Sequence, residues 1–216
     1  MNVLINGCSF MDSYYYGQHF DRLLNAKTVN IAKPGSCNRR VIRTTIDYIE
    51  QNPVDLVVLG LTFYDRQESP LKPNKSDPWV SYNSQGMQAV FSDPADFSSI
   101  TEHKLVNDYI LSRYRYDINE HYIESLYLDL KLLAAYLKEQ GIQFCIFNTC
   151  DTHLHESLGP GFIPFTFIGN RYLEQQGAVC MEQDRDLPLN ARHHYGEDVI
   201  MLVQYLVNYI NDNRNL

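Results

Sequence analysis

No run of apolar residues approaches the roughly 20 that a membrane-spanning helix requires. The opening Met1-Asn2-Val3-Leu4-Ile5 leads straight into Asn6-Gly7, with neither a basic start nor a long apolar stretch. No leader and no bilayer span are therefore expected, and the fold is expected to begin at residue 1. A basic excess is missing too. Lys and Arg number 18 against 26 Asp and Glu, for a net charge of -8 and a pI near 5.3. That balance argues against nucleic acid or an anionic membrane as the main partner, because both reward a basic face. No CxxC pair occurs, which argues against a zinc knuckle. The five cysteines, Cys8, Cys37, Cys145, Cys150 and Cys180, are scattered and odd in number. Without an export signal they read as reduced thiols, so a cytoplasmic location is expected. Tryptophan is nearly absent, with Trp79 alone.

What is present is globular composition, 44% hydrophobic and 20% charged over 216 residues, enough for one domain with a sizeable core. Tyrosine (16) and phenylalanine (10) are abundant, which suits an aromatic-rich core with amphipathic rims. Val3-Leu4-Ile5 is a short apolar run stopped by Asn6-Gly7 and reads as a buried strand. A helix to about Leu24 follows, with Phe20, Leu23 and Leu24 inward. Thr28–Ala32 reads as a second strand, stopped by Pro34-Gly35. Ile42, Thr45, Ile46 and Ile49 then repeat at helical spacing, with Asn38 placed to cap that helix and Pro53 ending it. Leu56-Val57-Val58-Leu59-Gly60 is the clearest buried strand. Residues 65–115 break this rhythm with Pro70, Pro73, Pro78 and Pro94, and read as an insertion or lid. Tyr122, Leu126, Leu130, Leu133 and Leu137 mark an amphipathic helix closed by Gly141. Ile142–Asn148 is a fourth strand and Gly177–Met181 a weaker fifth. A final helix from about Tyr195 buries Val199, Leu202, Val203, Leu206 and Ile210.

Alternating strands and helices imply a parallel sheet with helices on both sides, in a single domain over 1–216. Ligands on such sheets bind beyond the carboxyl ends of the strands. That rule gathers Gly7–Phe10, Pro34–Asn38, Gly60–Arg66, Asn148–His155 and the stretch before the last helix at one rim. Ser9 is placed there as a nucleophile, and helix N-terminal amides beside it would stabilise an oxyanion. Gly35 permits close backbone approach, Asn38 and Thr62 are hydrogen-bond donors, and His193 or His194 is the candidate general base. Arg66 and Arg39 are placed to hold an anionic substrate or to pair with an acid, whereas Arg40 and Arg43 read as surface charge. His153 and His155 form a His-x-His with nearby acids, but no well-spaced third metal ligand is evident. Cys8 is expected to pack inward, since neighbouring side chains at a strand end point apart.

The order of these blocks resembles the SGNH (GDSL-like) hydrolases over nearly the whole chain. The family's Gly-Asp-Ser is similar to Gly7-Cys8-Ser9, with cysteine for aspartate. Its second-block glycine is similar to Gly35. Its Gly-x-Asn-Asp is similar to Gly60-Leu61-Thr62-Phe63, with threonine for the asparagine donor. Its Asp-x-x-His is similar to Asn190-Ala191-Arg192-His193 or to the register one residue later. His194-Tyr195-Gly196 fits the phrase after the family's histidine better, yet neither histidine has an aspartate three residues before it. Asp184 or Asp186 is left as a substitute carboxylate. The resemblance implies a flavodoxin-like three-layer sandwich with a mostly parallel sheet of about five strands. It also implies metal-free serine esterase or acyl-transfer chemistry on a small ester, such as an O-acylated sugar, with no cofactor. The departures leave open a catalytically weakened binding domain on the same scaffold, and His153 with His155 leave open a metal-dependent hydrolase.

Overall fold

The structure is a computed structural model that describes residues 1–64, 66–70, 79–82, 104–105, 108, 119–150, 154, 158–164, 167–178, 194 and 198–213. In chain order its principal elements are β1 (Asn2–Asn6), α1 (Tyr14–Leu24), β2 (Lys27–Asn30), α2 (Asn38–Ile49), β3 (Leu56–Leu61), β4 (Gln67–Pro70), β5 (Trp79–Tyr82), α3 (Asn119–Glu139), β6 (Gln143–Asn148), α4 (Gly169–Gln175) and α5 (Val199–Asp212).

β1, β2, β3 and β6 form one parallel sheet in the order β2-β1-β3-β6. Leu4 lies opposite Val29 on one side and Val57 on the other, and Val58 lies opposite Cys145. The period-2 alternation of a strand sorts its side chains onto two faces. Val3, Ile5, Leu56, Val58, Cys145 and Phe147 join a core with α1, α4 and α5. Leu4, Val57, Leu59, Leu61 and Ile146 join a second core with α2 and α3. All six residues of β3 are buried, as a strand covered on both faces requires. The chain is thus an α/β protein with helices on both faces of a parallel sheet, consistent with a flavodoxin-like three-layer fold.

The helical periodicities hold in detail. Tyr122, Leu126, Leu130, Leu133 and Leu137 of α3 are all buried. Gly141, at φ 69°, ends that helix with bonds from its own amide to Lys138 O (3.1 Å) and from Ile142 N to Leu137 O (2.9 Å). These are the paired bonds of a Schellman stop. Several boundaries differ from expectation. The second strand ends at Asn30. The last helix begins at Val199, with Tyr195–Glu197 outside the described residues. The cap of α2 is Cys37, not Asn38: the Cys37 Sγ accepts from Arg40 N at 3.3 Å, and Asn38 is the first helical residue. Burial, then the Glu68 carboxylate, pushes the Cys37 thiol up to about 12, against the opposing pull of the Arg40 amide. A neutral sulfur is a weak acceptor.

Within 65–115, β4 and β5 pair with each other as an antiparallel ladder separate from the main sheet. Gly177 and Ala178 close α4 in a turn, and residues 179–181 of the expected fifth strand lie outside the described residues. Among the described residues, no helix is long and apolar enough to cross a membrane.

Candidate active site

β1 feeds α1 on one face and returns as β2 on one side of itself. β2 feeds α2 on the opposite face and returns as β3 on the other side. The strand order therefore reverses between β1 and β3, and the crevice of a doubly wound sheet opens at their carboxyl ends. Ser9 stands at that point, three residues past the end of β1, and is partly exposed.

The loop that carries Ser9 is heavily tied down. Asn6, fully buried, receives Gly7 N on its Oδ1 (2.8 Å) and donates through Nδ2 to Val41 O (3.0 Å) and Thr45 Oγ1 (3.0 Å) of α2. Met11 N donates to Cys8 O at 2.9 Å, so Ser9 and Phe10 are the central residues of a turn. Asn30 Nδ2, at the end of β2, donates to Met11 O at 2.8 Å. Helix α1 starts only at Tyr14, capped by Ser13. Ser9 thus sits in a turn past the strand end, and the helix amides expected beside it begin only at Tyr14. Beneath it, Met11 packs across two strand ends. A Cβ on Gly7 would meet Met11 Cγ at 2.5 Å, and one on Gly60 would meet the same atom at 2.5 Å and Thr149 Cγ2 at 2.6 Å. Glycine at both positions is a packing requirement.

Gly35 joins the same rim. Its φ of 76°, after Pro34 and with Ser36 N bonded to Lys33 O at 3.1 Å, makes Lys33–Ser36 a turn of the type that demands glycine at its third position. Lys33 N donates to Gly7 O at 3.2 Å, which fastens this turn to the Ser9 loop.

Asn38 and Thr62 are brought together, and closely. Asn38 Oδ1 accepts from Thr62 N (2.7 Å) while its Nδ2 donates to Thr62 O (2.9 Å). The side-chain amide brackets the Thr62 peptide much as a neighbouring strand would. The Thr62 hydroxyl is sealed from solvent, has no hydrogen bond of ordinary geometry, and turns toward the Cys150 thiol.

Cys8 does pack inward, in a cluster with Phe10, Cys150 and the partly buried Phe63. Burial drives the Cys150 thiol well above its ordinary range and the Cys8 thiol adds to this, while Arg66, Thr62 and Thr149 pull the other way. A thiol held protonated is a poor nucleophile.

The arginines divide differently from the sequence reading. Arg66 lies over the Phe63 ring at 5.2 Å, on the α2–α3 side of the rim, and lines a small hollow with Asn38, Arg39, Tyr64 and Tyr122. Arg39 pairs with Asp129 of α3 at 3.7 Å. Burial raises the Asp129 carboxyl and Arg39 opposes that rise. Arg40 donates to Ser36 Oγ at 3.1 Å. Arg43, 31% exposed at its side chain, is only partly surface charge: its Nε and Nη2 grip both oxygens of Glu68 at 3.1 and 3.0 Å, and the Glu68 side chain is 0% exposed.

α5 runs antiparallel to the strands. Its Tyr209, Ile210 and Asn213 end line a cleft with Leu56 and Gln143 at the strand starts, so its N-terminus lies at the carboxyl rim. His194, five residues before α5, is buried, and its Nε2 lies 3.5 Å from Glu174 Oε1 of α4. Glu174 was not singled out from the sequence, and no motif marks it. His193, Asp184, Asp186, Asn190, His153 and His155 lie outside the described residues.

No protein-family model matches the chain, and no curated protein sequence matches it. Among solved structures, the chain is similar to a psychrotrophic esterase, EstA, from a Pseudoalteromonas species, in a structure inhibited by monoethylphosphonate. The two are 9% identical, the match covers 99% of this chain and 96% of that one, and the TM-score is 0.43. A likeness that distant bears on neither activity nor individual residues.

Proposed function

We propose that the protein is a serine hydrolase acting on a small carboxylic ester, with Ser9 as nucleophile and His194 as general base. The observation that carries this reading is the placement of Ser9 in a rigidly tied turn at the β1–β3 crevice. A buried histidine with a carboxylate beside it, before the helix that ends at the opposite edge of the sheet, supports it. Ser9 Oγ attacks the ester carbonyl as His194 takes its proton, and the alcohol leaves with that proton. The acyl-serine is then hydrolysed by a water whose proton passes through the same imidazole back to Ser9. Backbone amides of the Ser9 turn and of Gly35 are the proposed oxyanion donors.

Labelling with a fluorophosphonate probe and turnover of p-nitrophenyl acetate test this. Wild-type protein should label and turn over, while Ser9→Ala and His194→Ala should each lose at least about 10³-fold in rate. Absence of Ser9-dependent labelling together with absence of turnover rejects the reading.

A second reading, a ligand-binding domain on the same scaffold, is favoured by one specific feature. Asn38 is committed to the Thr62 peptide and the Thr62 hydroxyl is sealed from solvent, so neither side-chain donor expected at the crevice is available to a substrate. Turnover lost in both variants above rejects this alternative.

A further inference from the structure

A serine–histidine pair needs a group that fixes the ring and compensates the imidazolium formed when the proton moves. The sequence places no aspartate three residues before His193 or His194. The structure places a carboxylate from another element there. His194 is 1% exposed at its side chain and Glu174 17%, with Nε2 and Oε1 3.5 Å apart. At 3.5 Å the contact is an ion-pair distance and not a hydrogen bond, and catalytic contacts of this kind are often long in the free enzyme and tighten only when substrate binds.

Glu174 is held in position by the way α4 is anchored. The strand-like bridge of Ile168 to Asn148 and the bond from Asn170 N to Thr149 O (3.1 Å) fix the start of the helix at the carboxyl end of β6. Gly169 lets the helix approach Phe147, which would lie 3.1 Å from an added Cβ, and Leu202 of α5, at 3.3 Å. Leu173, fully buried in the core next to Glu174, sets the helix rotation and so the direction of the Glu174 side chain.

We propose that Glu174 is the positioning carboxylate for His194, holding the ring proton on Nε2 and leaving Nδ1 as the atom that accepts the Ser9 proton. This inference rests on the hydrolase reading above. Glu174 acts through His194 and touches no reacting atom. Its charge becomes useful when the ring turns cationic, because a carboxylate shielded from water offsets that cation more strongly than an exposed one.

The test pairs kinetics with a readout independent of activity. In protein labelled with ¹⁵N-histidine, at a pH where the ring is neutral, His194 should be the Nε2–H tautomer with its ring proton shifted downfield by the carboxylate. Free histidine also favours that tautomer, so the proton shift is the readout: Glu174→Ala should move it upfield. Glu174→Gln, which keeps an acceptor oxygen without the charge and nearly the same volume, should keep most of the downfield shift. In the p-nitrophenyl acetate assay both variants should lose kcat, Glu174→Ala by about 10²-fold or more, with KM nearly unchanged. An unchanged ring-proton shift together with unchanged kcat in Glu174→Ala overturns the proposal. A downfield ring proton that moves in Glu174→Ala, in protein without Ser9-dependent labelling, overturns the hydrolase reading while upholding the Glu174–His194 pairing.

Discussion

Thr62 stands where a side-chain donor to an oxyanion is wanted, yet its hydroxyl is shut away beside Cys150 and lacks a well-formed bond. A buried hydroxyl without a good partner costs about 1–3 kcal/mol of desolvation. Valine has the same shape and no such cost. Thr62→Val should therefore leave the urea midpoint unchanged or raise stability by up to about 1 kcal/mol, and leave ester turnover within a few-fold of wild type. A true oxyanion donor would instead lose about 10²–10³ in kcat, so the same two measurements decide the role of the side chain. The place of Thr62 at a strand end was legible in the sequence, because a buried run stopped by polar residues marks where a strand leaves the sheet. The aim of its hydroxyl was not, since that depends on Asn38 gripping the neighbouring peptide from a different helix. Glu174 was hidden for a related reason: its meeting with His194 is set by how α4 is rotated in the core, and nothing in the local pattern records that.

At the scale of elements, the bidentate pair of Arg43 and Glu68 joins α2 to β4. The carboxylate is enclosed, but Arg43 is 31% exposed at its side chain, so its removal both strands the charge and lets water approach it. Arg43→Ala should cost about 1–3 kcal/mol, measured by urea denaturation. Replacing both residues together, as Arg43→Met with Glu68→Met, should cost far less, because the stranded charge goes with the pair. Arg43 reads as surface charge from sequence alone because it lies on a helix whose apolar stripe is elsewhere, and its partner sits in a stretch without periodicity. The strongly periodic elements were legible almost residue by residue. The stripe of α3 is buried as spaced, and Gly141 closes it. Capping of α2 by Cys37 escaped because sulfur is a poor acceptor and Asn38 beside it is a better cap by type.

Over the whole molecule, the two ends of the sheet do different work. The carboxyl rim gathers Ser9, Gly35, Asn38 and Thr62. The opposite edge carries a cleft of about 290 Å³ lined by Leu56, Phe144 and Ile210, where Tyr209 Oη donates to Phe162 O at 2.8 Å. Tyr209→Phe deletes that one bond and should lower stability by about 1 kcal/mol while leaving the hydrolytic rate unchanged, as thermal denaturation and the ester assay would record. The strand order has a further consequence, for how the protein comes into being. β1 is the first strand made and lies inside the sheet, so its two edges stay bare until β2 and then β3 arrive. Contacts this far apart in sequence are slow to form, because loop closure must precede the gain they bring. His194 comes later still, just ahead of the final helix. The proposed nucleophile and base thus belong to opposite ends of the folding history, and the pair can form only when the last segment docks.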